Sequence, residues 1–262
     1  MSSLGDRVKI ANKGKGREVI GSIQNIIDCS GMGCNGGDSN AANKWIHDAG
    51  GIPDITCQQY QAKNGNCTAE HTCMNCGGPH CWAVKDYPKL KVTEFGSVSG
   101  DDKIQAEIFA RGPVSCYIDA SVLGYVTANM TGYTGYSTGV ANYTKTPRVD
   151  HAIQIAGWGE LSAAEGGQVR SRPHRTALYY LLPSFLLCPA LTASSVRACR
   201  ATQSYWIGRN SWGTYWGEHG WFRIARGPAT GSYIPYEPGT CYWAVPEWTA
   251  TGPGGRQAPV EL

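Results

Sequence analysis

The chain has 262 residues, 42% of them hydrophobic, enough for one large domain or two modest ones with a substantial core. Its formal charge of +3 is small for that length and makes no case for nucleic acid, which calls for a basic face or stripe. Eleven cysteines, seven of them between Cys29 and Cys81, are too dense for an ordinary cytosolic protein and point to disulfides in an oxidising compartment.

In chain order, Met1 to Arg7 has no apolar core of the kind a signal peptide carries. Val19 to Cys29 reads as an amphipathic helix, with Val19, Ile20, Ile23, Ile26 and Ile27 on one stripe. Gly31 to Gly37 is a glycine loop around Cys34. Ser39 to Ala49 reads as a second helix, capped by Asp38 or Ser39, with Trp45 and Ile46 facing inward and Gly50 ending it. Cys57 to Cys81 has no periodicity and reads as a disulfide-held excursion. Asp101 to Arg111 is a third helix, stopped by Gly112-Pro113, because proline cannot continue a helix. From Val114 onward short β-like runs take over: Val114 to Ile118, His151 to Ala156, Tyr205 to Gly208 and Trp221 to Ile224. A helical part followed by an antiparallel β part predicts an α+β protein of two lobes, residues 1–112 and 113–262.

One stretch breaks the pattern. Residues 165–203 interrupt two runs that read as neighbouring strands. From Gly166 to Gln203 there is no acidic residue, against five arginines. Its apolar centre, Ala177 to Ala193, is broken by Pro183 and Pro189 and is short for a span of roughly 20 residues. It is read as translated sequence outside the mature fold, such as a retained intron, in preference to a membrane span or a structured insertion; no membrane partner is expected. Three N-x-T sequons, at Asn66, Asn129 and Asn142, fit an exported glycoprotein.

The chemistry lies in two segments. One is V-D-H-A-I-Q-I-A-G-W-G, Val149 to Gly159. The other is Y-W-I-G-R-N-S-W-G, Tyr205 to Gly213. A histidine at the start of one strand and an asparagine at the end of the next can meet side by side. An amide oxygen on one imidazole nitrogen fixes its tautomer, leaving the other nitrogen to activate a thiol. An indole over the pair excludes water. His151, Asn210 and Trp212 are the candidates for base, orienter and shield. A second constellation, Cys73-x-x-Cys76 with His71, His80 and Cys81, has zinc-ligand spacing, although a disulfide reading competes with it.

These motifs resemble the papain family of cysteine peptidases. S-I-Q-N-I-I-D-C, Ser22 to Cys29, and C-N-G-G, Cys34 to Gly37, are similar to that family's segments. Gly51 to Lys63, the clustered Cys67, Cys73, Cys76 and Cys81, and Ala106 to Cys116 are similar to its cathepsin X/Z branch. The resemblance implies a papain-like α+β two-lobe fold, with a helical lobe and an antiparallel β-barrel-like lobe. It implies peptide-bond hydrolysis with His151 and Asn210 catalytic, and trimming at a free C-terminus by subfamily. Gly36 and Gly37 would pair with substrate backbone, Trp212 would line the primed side, and peptides or proteins would be the partners of a monomer. No cofactor and no metal are implied, and the compartment would be lysosome, vacuole or outside the cell. It also implies the disulfides Cys29–Cys67, Cys57–Cys73, Cys76–Cys81 and Cys116–Cys241, with Cys34 alone. The family's C-G-S-C-W nucleophile segment has no match here, since Ser2 to Arg7 resembles the back half of the helix that carries it. The fold is therefore expected to be incomplete, the chain truncated at its front and inactive as written. The alternative is a non-catalytic peptide-binding homologue, and coding sequence upstream of Met1 separates the two.

Overall fold

The computed structural model describes residues 1–124, 136–141, 149–162, 202–226 and 241–249. The expected insert, apart from its last two residues, lies outside the described residues, as do Asn129, Asn142, Cys188 and Cys199.

The elements follow one another as helices α1 (Ser2–Ala11), α2 (Ile23–Cys29) and α3 (Ser39–Asp48), strand β1 (Ile52–Pro53), helix α4 (Ala69–Thr72), strands β2 (Met74–Gly77), β3 (His80–Ala83) and β4 (Lys89–Val98), and helix α5 (Asp101–Arg111). Strands β5 (Val114–Ile118), β6 (Val140–Ala141), β7 (His151–Ser162), β8 (Thr202–Arg209), β9 (Trp221–Ala225) and β10 (Cys241–Thr249) complete the set. This is an α+β fold. It divides into two units, one of Met1–Ile118, Val149–Ala156 and Tyr233–Leu262, the other of Asp119–Arg148 and Gly157–Ser232. The boundary expected between residues 112 and 113 falls inside the first unit.

In the first unit the strands run β1-β4-β10-β5-β7, with every pair antiparallel. Helices α1 and α3 cover β4 and β10. Leu4, Val8, Ile46, Ile52, Leu90, Val92 and Ala244 form the core between them, with Trp45, Phe95 and Trp248 at its margin. Leu90 and Val92 alternate with the half-buried Lys89 and Lys91, as one covered sheet face requires. Pro246 interrupts the pattern of β10, and the register of β10 against β4 shifts between Val245 and Pro246. A bulge is where a strand can hold a residue that has no N–H to donate.

Arg7 locks α1 to the rest through four polar contacts. Arg7 is 2% exposed. Its guanidinium donates to Pro113 O at 2.7 Å, Ala244 O at 2.9 Å, Gly112 O at 3.0 Å and Glu107 Oε1 at 2.8 Å. One planar group thus satisfies the carbonyls at the α5–β5 turn and on β10, and a buried charge is tolerated because it is paired.

The helix read over Val19 to Cys29 needs correction. Only Ile23–Cys29 is helical. Residues before it are extended, with Gly21 bridged to Asp54, and Ser22 caps the helix by accepting from Asn25 N. Of the stripe, Val19 is buried, but Ile20 and Ile23 are 41% and 38% exposed. A Cβ on Gly21 would lie 2.8 Å from both Ile52 and Leu90, so the chain passes so close to the core here that only glycine fits. The second and third helices lie where the sequence places them. Asp38 Oδ1 accepts from Ala41 N at 2.8 Å, and Gly112 ends α5 with a φ of 101°. Strand β5 has the predicted bounds, whereas β7, β8 and β9 run beyond theirs.

All four disulfides form: Cys29–Cys67, Cys57–Cys73, Cys76–Cys81 and Cys116–Cys241. Cys34 is the free, exposed cysteine among the described residues. Cys73 and Cys76 are therefore bound in different disulfides, and their C-x2-C spacing does not serve zinc. Among the described residues no helix is long and apolar enough to cross a membrane.

Within the second unit the order is β7-β8-β9-β6. Strands β8 and β9 are antiparallel, and β6 runs parallel to β9. Trp206, Trp216, Phe222 and Ile224 are fully buried there.

Candidate functional site

In the first unit, the end of α2, the glycine loop and the start of α3 enclose a groove of about 220 Å³, lined by Ile26, Ile27, Met32, Gly36, Gly37 and Asp38, among others. Gly36 holds a φ of +100° and has no heavy atom within 4 Å of where a Cβ would stand. A Cβ on Gly37 would touch Met32 Sδ at 3.3 Å and narrow the groove. Both glycines are exposed, so their backbone is open to another chain. Asp38 at the rim also accepts from Tyr117 Oη at 3.0 Å. The Tyr117 oxygen in turn accepts from Ser39 N, and Ser39 Oγ lies 2.9 Å from Ser115 Oγ. Burial, together with the neighbouring Asp38, pushes the Tyr117 phenol upward, so it stays a neutral donor. Sequence reasoning had Asp38 only as a cap. Tyr117 lies 79 residues further on, and nothing in the chain pairs the two.

His151 also belongs to the first unit. It is the half-buried first residue of β7 and stands opposite Ile118 of β5. Asp150 N donates to Ile118 O at 3.0 Å, so the strand is already paired where the imidazole leaves it. Buried Ile153 and Ile155 anchor the strand behind it. Gln154, which sequence reasoning passed over, is 5% exposed and donates to Asp6 Oδ2 at 2.5 Å.

Asn210 and Trp212 belong to the second unit, in the turn from β8 to β9. Asn210 is 9% exposed. Its backbone N–H donates to Gly220 O at 2.9 Å, closing the turn, and its Oδ1 accepts from Ser211 N at 2.8 Å. Trp212 is half-buried and meets the ring of buried Trp216 edge-on, 5.2 Å between centroids. Trp216 in turn packs on Tyr136 at 5.7 Å and Phe222 at 6.0 Å. Gly213, with φ +91°, gives the sharp bend after Trp212.

An ionic knot holds the far side of this turn. Arg223 is paired with Glu218, which also accepts from Tyr136 Oη at 2.9 Å and Thr138 Oγ1 at 3.2 Å. Burial works against charge on Arg223, but the bonds to Glu218 outweigh it and hold its pKa above the ordinary value. Tyr136 is pushed well above a free phenol, first by burial and then by Glu218. The turn carrying Asn210 and Trp212 is thus bonded at both ends. Asn66, the described sequon residue, is exposed.

Residues 1–238 match the family described as "Papain family cysteine protease". The chain is 34% identical over 249 residues to cathepsin Z of Onchocerca volvulus, covering 94% of this chain and 66% of that protein. It is 28% identical to cysteine proteinase 2 of Dictyostelium discoideum, covering 78% of this chain and 50% of the relative. It therefore spans half to two thirds of the length of these curated relatives. Among solved structures, the bromelain protease from Ananas comosus, complexed with the E64 inhibitor, is similar in fold, with a TM-score of 0.57 at 22% identity over 92% of this chain and 84% of that one.

Proposed function

The chain belongs to the papain family of cysteine proteases, and we propose that it represents a cathepsin X/Z-like, cysteine-type peptidase, a carboxypeptidase by subfamily. The observation that carries this reading is the family match across residues 1–238, with His151 heading a strand and Asn210-Ser211-Trp212 directly following one inside it. In this reading His151 is the general base and later the general acid. Asn210 orients its imidazole, and Trp212 shields the pair from water and walls the primed side. In a peptidase of this family a thiol gives its proton to the histidine, the thiolate attacks the scissile carbonyl, the amine leaves with that proton, and water then releases the acyl group from sulfur; no cysteine of these 262 residues is assigned the thiol's role, and the part this chain supplies is the proton transfer at His151. The extended peptide pairs its backbone with Gly36 and Gly37 as an added strand. The substrates are peptides or proteins, and a single chain suffices. Four disulfides suit an oxidising compartment, the lysosome, a vacuole or the outside of the cell.

A second reading rests on one fact of the sequence: these 262 residues contain no C-G-S-C-W segment. As written, the polypeptide then binds peptides without cutting them. Both readings are tested by presenting the 262-residue chain with a fluorogenic peptide series under reducing conditions, and measuring binding and turnover together. Binding without turnover is the expected result. Turnover abolished by a cysteine-directed alkylating agent would show that a nucleophile is present. Absence of any peptide binding would sink the peptidase and the binder alike.

A further inference from the structure

The groove beside Gly36 and Gly37 has an apolar floor and one charge. Ile26, Ile27, Met32 and Ala42 supply the floor. The charge is Asp38, exposed at the rim. Its carboxylate is held in place by two neutral donors, Ala41 N on Oδ1 at 2.8 Å and Tyr117 Oη on Oδ2 at 3.0 Å. No ion pair to Asp38 occurs among the described residues. The side chain is therefore fixed in direction, while its negative charge has no cation opposite it among the described residues.

That combination has a complement. An aliphatic stem ending in a cation would bury its methylenes on Ile26, Ile27 and Met32 and leave its head at the wet rim, as lysine and arginine do on apolar surfaces. A neutral aliphatic side chain would gain the floor but not the rim. An acidic one would face a like charge. We infer that Asp38 makes this groove select peptides carrying a lysine or arginine at the position whose side chain lies against Ile26, Ile27 and Met32. The inference rests on the reading of Gly36 and Gly37 as the peptide-binding edge, and it names the substrate class of that edge.

The size of the effect follows from the exposure of the pair. An ion pair in contact with solvent contributes little, so the preference for lysine over an uncharged isostere should be about two- to fivefold in dissociation constant. It should shrink as salt rises from about 0.01 M to about 0.5 M, because the screening length then falls to a few ångströms. Asp38→Asn removes the charge. Asparagine is as good a helix N-cap as aspartate, so the bond to Ala41 N and the start of α3 are kept, while the Tyr117 hydroxyl, which donated to Oδ2, meets an amide N–H donor instead and must turn to accept from it.

The test is fluorescence anisotropy of end-capped, labelled hexapeptides of alanine and glycine, carrying one lysine or one norleucine, the position moved along the peptide. Each is titrated against the 262-residue chain and against D38N, at low and high salt. The expected result is tighter binding of a lysine peptide than of its norleucine partner. The advantage falls with salt and collapses towards one in D38N. Equal binding of the two peptides to the unaltered chain overturns the inference and leaves peptide binding at this edge intact. A lysine preference of full size in D38N also overturns it, because the cation then sits elsewhere. Should D38N fail to fold, the salt dependence in the unaltered chain decides: a lysine advantage indifferent to salt overturns the inference. Binding of neither peptide overturns the reading of the edge, and this inference with it.

Discussion

Arg7 and Glu107 stand 100 residues apart in the chain, yet Arg7 Nη2 donates to Glu107 Oε1 at 2.8 Å with both side chains almost out of solvent. Glu107 receives a second cation from its own helix, Arg111, at 2.5 Å. The plane of the Arg111 guanidinium also lies over Trp243, 4.1 Å from the ring centroid. One carboxylate thereby joins α1, α5 and β10.

Replacing Arg7 by methionine should cost about 1–3 kcal/mol of folding stability for each buried carbonyl left unsatisfied, while Glu107 keeps Arg111 as its cation. The loss comes from stranded acceptors. Pro113 O, Gly112 O and Ala244 O all lose their donor when the guanidinium goes. Chemical denaturation read by tryptophan fluorescence measures it. A change below about 1 kcal/mol would mean that water replaces the guanidinium.

Glu107 also sets a pH dependence. Burial alone would raise its pKa, but the hydrogen bonds from Arg111 and Arg7 prevail and hold it below the ordinary glutamate value. A depressed carboxylate stabilises the fold fully above the pKa it has when unfolded, and that contribution is lost as pH falls through the folded value. Stability should therefore be flat in this respect above about pH 5 and decline below it. Glu107→Gln should start lower and flatten that decline. Urea midpoints measured between about pH 3 and 7 on both proteins would show it, and parallel curves would contradict it.

Gly208 of β8 should not accept even a methyl group. A Cβ there would come within 2.2 Å of the ring of Phe222, which is fully buried in the second unit. Gly208→Ala should destabilise by about 1–3 kcal/mol through overpacking. It should also dull the near-ultraviolet circular dichroism of the Trp216–Phe222 cluster. An unchanged spectrum together with an unchanged denaturation midpoint would contradict the tight packing.

The cysteines should separate sharply by bonding state, because a free thiol is alkylated and a disulfide is not. Cys116 and Cys241 are fully buried and directly opposite each other in the β5–β10 register. Their bond closes a loop of 125 residues, so removing both cysteines should cost about 2–5 kcal/mol, a cost measurable as a lower denaturation midpoint. Cys34 is exposed. Iodoacetamide applied without denaturant or reductant should modify the tryptic peptide containing Cys34 and leave those of Cys116 and Cys241 untouched, as read by mass spectrometry.

How much of this was legible beforehand depended on range. The end of α5 at Gly112-Pro113 and the cap at Asp38 are local events, written in a few consecutive residues, and both lie where the chain says. The helix over Val19 to Cys29 failed because Val19 and Ile20 mimic a helical stripe, although their segment is extended and only Val19 turns inward. Strand β4 escaped notice although Leu90 and Val92 alternate, and β10 is interrupted by a proline that only a bulge accommodates. His151, Asn210, Trp212, Gly36 and Gly37 are candidates on motif likeness. The bond from Tyr117 of β5 to Asp38 has no such local sign.

The sequence by itself therefore determined the family, the α+β class, the caps and breakers, and which cysteines pair, because each depends on short motifs or on a likeness spread over the whole chain. The tertiary structure decided what depends on pairing across long separations: the place of β10 between β4 and β5, the burial of Arg7 against three carbonyls, and the bond that turns Asp38 into the fixed charge of a groove. Such pairings join residues tens to hundreds of positions apart. They form only when the burial of Leu4, Ile46, Leu90 and Ala244 in one core brings their strands and helices together. No local pattern in the chain carries that information.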